Sequence, residues 1–171
     1  MVRVRLAGIA WQSVVDGPGV RAVVFAQGCP HDCPGCHNPH ALDPEGGQWH
    51  DLEELAGRLS GYCGLRGVTF SGGEPFLQAA AFAALAERMR SYGQDIVTFS
   101  GFTYEELCLT AATDLAVRAL LQESDLLIDG PYVQEERDLL LAFRGSRNQR
   151  VIDLAATREA GGVVLSPWHF R

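Results

Sequence analysis

Apolar and polar positions along the chain fall into two alternating kinds of block. Short runs rich in β-branched and aromatic residues lie at Val2 to Ile9, Val20 to Ala26, Val68 to Phe70, Ile96 to Phe99 and Leu126 to Ile128. Runs of this length and composition predict strands. Between them, Asp51 to Ser60, Leu77 to Tyr92 and Asp114 to Glu123 carry apolar residues at helical spacing. Asp51 opens a D-L-E-E start, and Gly93 stands just past the Ala-rich segment, where a helix ends on a residue that tolerates positive φ.

Alternation of strand and helix predicts βαβ units and a parallel sheet, an α/β fold. A closed eight-fold barrel typically takes about 250 residues, and this chain has 171. The expectation is a single domain spanning residues 1–171, an incomplete, open β/α barrel or curled sheet of about six strands. The remaining stretches fall after strands: the loop at 27–40, "SGGEPF" at 71–76, "SGFTYEE" at 100–106 and "DGPY" at 129–132. Loops that follow the C-terminal ends of parallel strands share one edge, so four distant stretches are expected to meet at one site.

Charge narrows the partners. With 14 basic and 21 acidic residues the net charge is −7, which argues against a nucleic-acid partner, since such binding neutralises phosphates with Lys and Arg. The N-terminal stretch has no signal-peptide run, and the longest uncharged apolar run, Phe76 to Ala86, is too short to span a bilayer. A soluble cytoplasmic protein with no membrane partner is expected. There, five cysteines point to metal or redox chemistry rather than disulfides.

Three of the five cysteines, Cys29, Cys33 and Cys36, sit in "QGCPHDCPGCHNPH" at 27–40, with His31, His37 and His40. Three readings fit that spacing. Zinc would need His37 or His40 to complete a Cys3His set. A redox-only [4Fe-4S] cluster would need a fourth thiolate, and Cys63 and Cys108 are distant and read as small buried hydrophobes. Three thiolates alone would leave one iron open to a substrate, as catalytic metal sites do.

C-x-x-x-C-x-x-C after an early strand, with "SGGEP" after a later one, resembles the radical S-adenosylmethionine (SAM) superfamily. "DGPGVR" (16–21), "GCHNP" (35–39), "TFSGGEP" (69–75), "SGFTYEEL" (100–107), "LLIDGPY" (126–132) and "RGSRNQRVID" (144–153) extend the likeness to the activating enzymes of glycyl-radical enzymes. The resemblance implies a [4Fe-4S] cluster on Cys29, Cys33 and Cys36. It also implies SAM chelated at the open iron and cleaved reductively to a 5′-deoxyadenosyl radical. The hydrogen abstracted would come from a glycine of a partner glycyl-radical enzyme, the anaerobic ribonucleotide reductase, with a reduced flavodoxin-like electron donor.

On the same resemblance, Gly72 and Gly73 let backbone approach the methionine end of SAM, Glu74 accepts from its ammonium group, and Ser71 adds a hydroxyl. Ser100 and Asp129 line the pocket, His37 and Asn38 lie near the adenine, and Asp16 meets the backbone of the incoming glycine loop. Many superfamily members carry an aromatic residue before the third cysteine, where this chain has Gly35.

Plainer readings stand beside these. His31, His37 and His40 read as solvent-facing loop residues rather than ligands. "GGEP" and "DGPG" alone are ordinary turns. Arg144 and Arg147 are candidates to face an anionic cluster or a partner, and Trp11, Trp49 and Trp168 read as packing. Three function classes follow: an activase of a large partner, a radical SAM enzyme of a small molecule, and a non-catalytic zinc module.

Overall fold

A computed structural model describes all 171 residues. Seven strands form one sheet: β1 (Arg3–Ser13), β2 (Arg21–Ala26), β3 (Gln48–Asp51), β4 (Gly67–Gly72), β5 (Asp95–Phe99), β6 (Leu126–Asp129) and β7 (Arg150–Asp153). The spatial order is β3-β1-β2-β4-β5-β6-β7. Strands β2, β4, β5 and β6 run parallel, whereas β1 pairs antiparallel with both β2 and β3, and β7 pairs antiparallel with β6.

The expected sheet of about six parallel strands is therefore a mixed sheet of seven. The reason lies in the connections. Residues 14–20 between β1 and β2 are too few for the crossover that a parallel pair requires, so the chain turns back on itself. The long return from β6 to β7 holds only the 3-10 turn Gln134–Glu136 and brings β7 back antiparallel.

Four helices connect strands, α1 (Leu52–Ser60), α2 (Ala79–Ser91), α3 (Tyr104–Ala111) and α4 (Leu115–Glu123), and a fifth, α5 (Leu154–Ala160), follows β7. Asp51 caps α1 by accepting from the Glu54 N–H, and Asp114 caps α4 through the N–H groups of Ala116 and Val117. The segment expected to turn helical at Leu77 first makes the 3-10 turn Pro75–Gln78, so α2 starts at Ala79. No helix is long and apolar enough to cross a membrane.

The two faces of the sheet differ. Ala22, Val24 and Ala26 of β2, Val68 and Phe70 of β4, Ile96 of β5 and Leu127 of β6 pack against α1, α2 and α4 in one core. The alternate residues point the other way, as the period-2 pleat dictates. On that second face Val97, Ile128 and Val151 make only a small cluster with Phe99, Phe143 and Trp168. Most of the apolar driving force is spent on the helix side, which leaves Phe25, Ser71 and Phe99 free to line a cleft.

Candidate active site

The cleft, about 310 Å³ in volume, opens where the loops after β2, β4, β5 and β6 converge. Cys29, Cys33 and Cys36 lie on one wall, all partly buried and free of disulfides. Asp16, His37, Asn38, Ser71, Gly72, Gly73 and Ser100 complete the sequence-predicted residues on its surface. Glu74 and Asp129, also expected there, are not part of the lining.

Cys29 N–H donates to the Leu42 carbonyl at 3.1 Å, Cys36 N–H to the Cys33 carbonyl at 3.0 Å, and Asn38 N–H to the Cys36 sulfur at 3.4 Å. Burial pushes the Cys29 thiol up, while the His31 backbone N–H pulls it down. No three His, Cys, Asp or Glu side chains are gathered closely enough to hold one metal ion. Zinc, at about 2.3 Å from each thiolate, would need its sulfurs within about 4 Å of one another. A cluster spreads its thiolates over separate irons, so its ligands need not converge on one point.

The glycine loop is built for close approach of backbone. Gly73 N–H donates to the Ala26 carbonyl and Glu74 N–H to the Gly28 carbonyl, both at 2.8 Å. A Cβ on Gly73 would stand 2.3 Å from the Gly28 oxygen, and one on Gly72, where φ is +90°, would stand 2.7 Å from Phe25 Cα. Any side chain at Gly73 would therefore push the cysteine loop off the sheet.

Glu74 is fully buried. Its carboxylate accepts from Ser100 Oγ at 3.0 Å, Gly101 N–H at 2.9 Å and Phe76 N–H at 3.1 Å, and meets His31 Nε2 at 2.9 Å. Through these partners it joins three strand-end loops. Asp129 is likewise engaged: it accepts from Tyr104 N–H at 2.7 Å and pairs with Arg150. Those bonds raise the Arg150 pKa and fix the β6–β7 edge against α3.

Asp16 lies at the cleft wall on a turn containing Gly17 (φ +139°) and Gly19 (φ +75°). Its carboxylate accepts from Ser13 Oγ at 2.5 Å. Beneath the turn runs Arg21, wholly buried, which donates to Thr69 Oγ1 at 2.9 Å and to the Pro18, Val68 and Asp95 carbonyls at 3.0 Å, and pairs with the Asp95 carboxylate. Burial pulls the guanidinium pKa down and Asp95 opposes that.

Several expectations change. His31 is not solvent-facing: its side chain is 16% exposed and turned towards Glu74. His37 is exposed, as expected, and tilts against Tyr132, with centroids 4.8 Å apart. Cys63 and Cys108, expected as buried hydrophobes, are both exposed, because they lie at a loop and on the outer side of α3. Arg144 is buried but donates to the Gln149 and His169 carbonyls rather than reaching the cleft, and Arg147 is exposed. Gly35 has φ +73°, a conformation that L side chains rarely adopt, and a Cβ there would stand 3.0 Å from the Gln134 side chain, so an aromatic residue at that position would be strained.

Residues 15–152 match the family model of the 4Fe-4S single cluster domain. The anaerobic ribonucleoside-triphosphate reductase-activating protein of Vibrio cholerae is 35% identical over 144 residues, covering 80% of this chain and 89% of its own. The chain belongs to the family of anaerobic ribonucleoside-triphosphate reductase-activating proteins. The family member from Escherichia coli K12 is 33% identical over 152 residues, with 81% and 91% covered, and that of Enterobacteria phage T4 is 31% identical over 144, with 80% and 86% covered. The solved structure of QueE from Escherichia coli is 17% identical, covers 59% of this chain and 53% of its own, and has a TM-score of 0.48.

Cleft residues that sequence reasoning missed are Phe25, Tyr132, Phe143 and Gln149, together with Arg21 behind them, and His31, read as solvent-facing, lines the cleft as well. Arg21 stood in the quoted "DGPGVR", and an arginine inside an otherwise apolar strand is a signal that it has partners.

Proposed function

We propose that this chain is a radical SAM activase that installs a glycyl radical on the anaerobic ribonucleotide reductase, using a [4Fe-4S] cluster and SAM. The observation that carries the reading is convergence: three free thiols, the Gly72–Gly73 backbone, the Ser71 and Ser100 hydroxyls and the Asp16 turn surround one cleft. Three thiols beside the bare backbone of Gly72 and Gly73, which lines the same cleft, suit a cluster with one open iron and a small chelating ligand beside it. When bound, the cluster and SAM supply one-electron cleavage of a sulfonium C–S bond and removal of a hydrogen atom from a glycine Cα.

The chain's own residues hold and orient. Cys29, Cys33 and Cys36 ligate iron, and Gly72 and Gly73 keep the loop flush against the cysteine loop so that backbone groups meet the methionine end. Ser71 and Ser100 offer hydroxyls from neighbouring strands, and Asn38 and the His37–Tyr132 pair flank the opposite end where an adenine would lie. Glu74 and Asp129 act behind the cleft, fixing the loops that carry these groups. Asp16, on its glycine turn, is placed to accept hydrogen bonds from the backbone of an incoming glycine loop.

In this reading the sheet is an incomplete barrel whose open side admits a protein loop. The cytoplasm is its place of action, and a reduced flavodoxin-like protein supplies the electron. Anaerobic reconstitution with iron and sulfide tests the proposal. About four irons per chain and SAM cleavage on reduction are expected. A colourless protein that retains zinc would overturn it.

A further inference from the structure

We infer that His31 is a positioning residue: anchored on the buried Glu74 carboxylate, it sets the loop that presents Cys29, Cys33 and Cys36. The inference rests on the function proposed above and assigns a device that the cysteine spacing alone does not contain. Between Pro30 and Gly35 no backbone N–H bonds to another backbone group, and Pro30 and Pro34 have none to give. A loop so poorly tied by its own backbone must be held by side chains.

His31 supplies the hold from the middle of the loop. Its Nε2 lies 2.9 Å from Glu74 Oε2, its ring meets Phe102 edge-on at 4.4 Å, and it presses so closely on Gly101 that a Cβ there would stand 2.4 Å from the imidazole Cδ2. The anchor itself is rigid, since Glu74 is fully buried and held by Ser100, Gly101 and Phe76. Next to His31, Asp32 has φ +45°, one of two non-glycine residues with positive φ. A strained conformation of that kind persists where its surroundings impose it. The tether thus spans three loops: cysteine, glycine and β5–α3.

Iron release to a chelator, followed by loss of the cluster's visible absorption, tests the inference, with the spectrum of the reduced cluster in electron paramagnetic resonance as a second readout. Loss of an outer partner of a metal ligand typically costs 10- to 100-fold in metal retention. His31→Ala is expected to release iron at least about tenfold faster than wild type and to change the spectrum of the reduced cluster. His31→Gln, which carries an N–H donor at similar reach, is expected to restore both. Gly101→Ala leaves His31 in the sequence but occupies its place, and is expected to behave as His31→Ala does. Wild-type retention and spectrum in His31→Ala, or a Gln variant no better than Ala, would overturn the inference. Should His31→Ala fail to fold, the Gln and Gly101 variants decide it. A wild-type protein that takes up no iron would overturn the parent reading itself.

Discussion

The Nε of Arg21 donates to the Thr69 hydroxyl at 2.9 Å, and that hydroxyl donates onward to the backbone carbonyl of Asp16 at 2.8 Å. A buried arginine in β2 thereby reaches the turn at the cleft through one side chain of β4. Thr69→Val keeps the shape and removes both bonds. It is expected to cost about 1–3 kcal/mol in denaturant unfolding, because it leaves a buried donor and a carbonyl unpaired. Iron content should be unchanged, while radical yield on the partner falls. Equal stability to wild type would show that the relay holds nothing.

Replacing Cys29, Cys33 or Cys36 with Ser is expected to abolish the cluster in each case. Cys63→Ser and Cys108→Ser should retain it, since both thiols are exposed and outside the cleft. Iron and sulfide assays on the five variants check this. Full iron in any of the first three would break the ligand assignment.

At Gly73 the addition of a single methyl group is informative. Its Cβ would meet the carbonyl oxygens of Gly28, Ala26 and Ala41 at 2.3 to 2.9 Å. Gly73→Ala is therefore expected to lower iron incorporation as well as SAM binding. Measuring both by reconstitution and calorimetry separates this from a purely ligand-side role, in which iron would bind normally.

His169 makes stability depend on pH. Its Nδ1 accepts from Arg144 Nη1 at 2.9 Å and from the Val151 N–H at 3.3 Å, so the ring must stay neutral there. Burial and then the charges of Arg144 and Arg150 hold its pKa below the usual histidine value. Its contribution is complete above an unfolded value of about 6.5 and is lost as pH falls through the lower folded one. Thermal unfolding between about pH 7.5 and pH 5 should show a larger drop for wild type than for His169→Gln. Equal drops would remove His169 as a cause.

What was legible in the sequence was local. Cys29, Cys33 and Cys36 lie within one loop, and the strand-end placement of Ser71, Gly72 and Ser100 followed from the order of apolar runs. The tethers were not legible, because Arg21 and Thr69 are 48 residues apart and His31 and Glu74 are 43 apart. Helix α3 was readable in principle: Thr103 and Glu106 form a capping box, bonding each other's backbone N–H. Strands β3 and β7, four residues each, are too short to show a period. Their pairing comes from the neighbours β1 and β6.

The central claim is that this cleft transfers hydrogen-atom abstraction to a glycine of a partner protein. The most direct measurement is electron paramagnetic resonance of the anaerobic ribonucleotide reductase after incubation with reconstituted protein, SAM and reductant, alongside Asp16→Asn. Wild type should yield a glycyl doublet, and Asp16→Asn should keep iron and SAM cleavage while losing most of that doublet. Iron-loaded wild-type protein that cleaves SAM and leaves the reductase without a doublet would contradict the account.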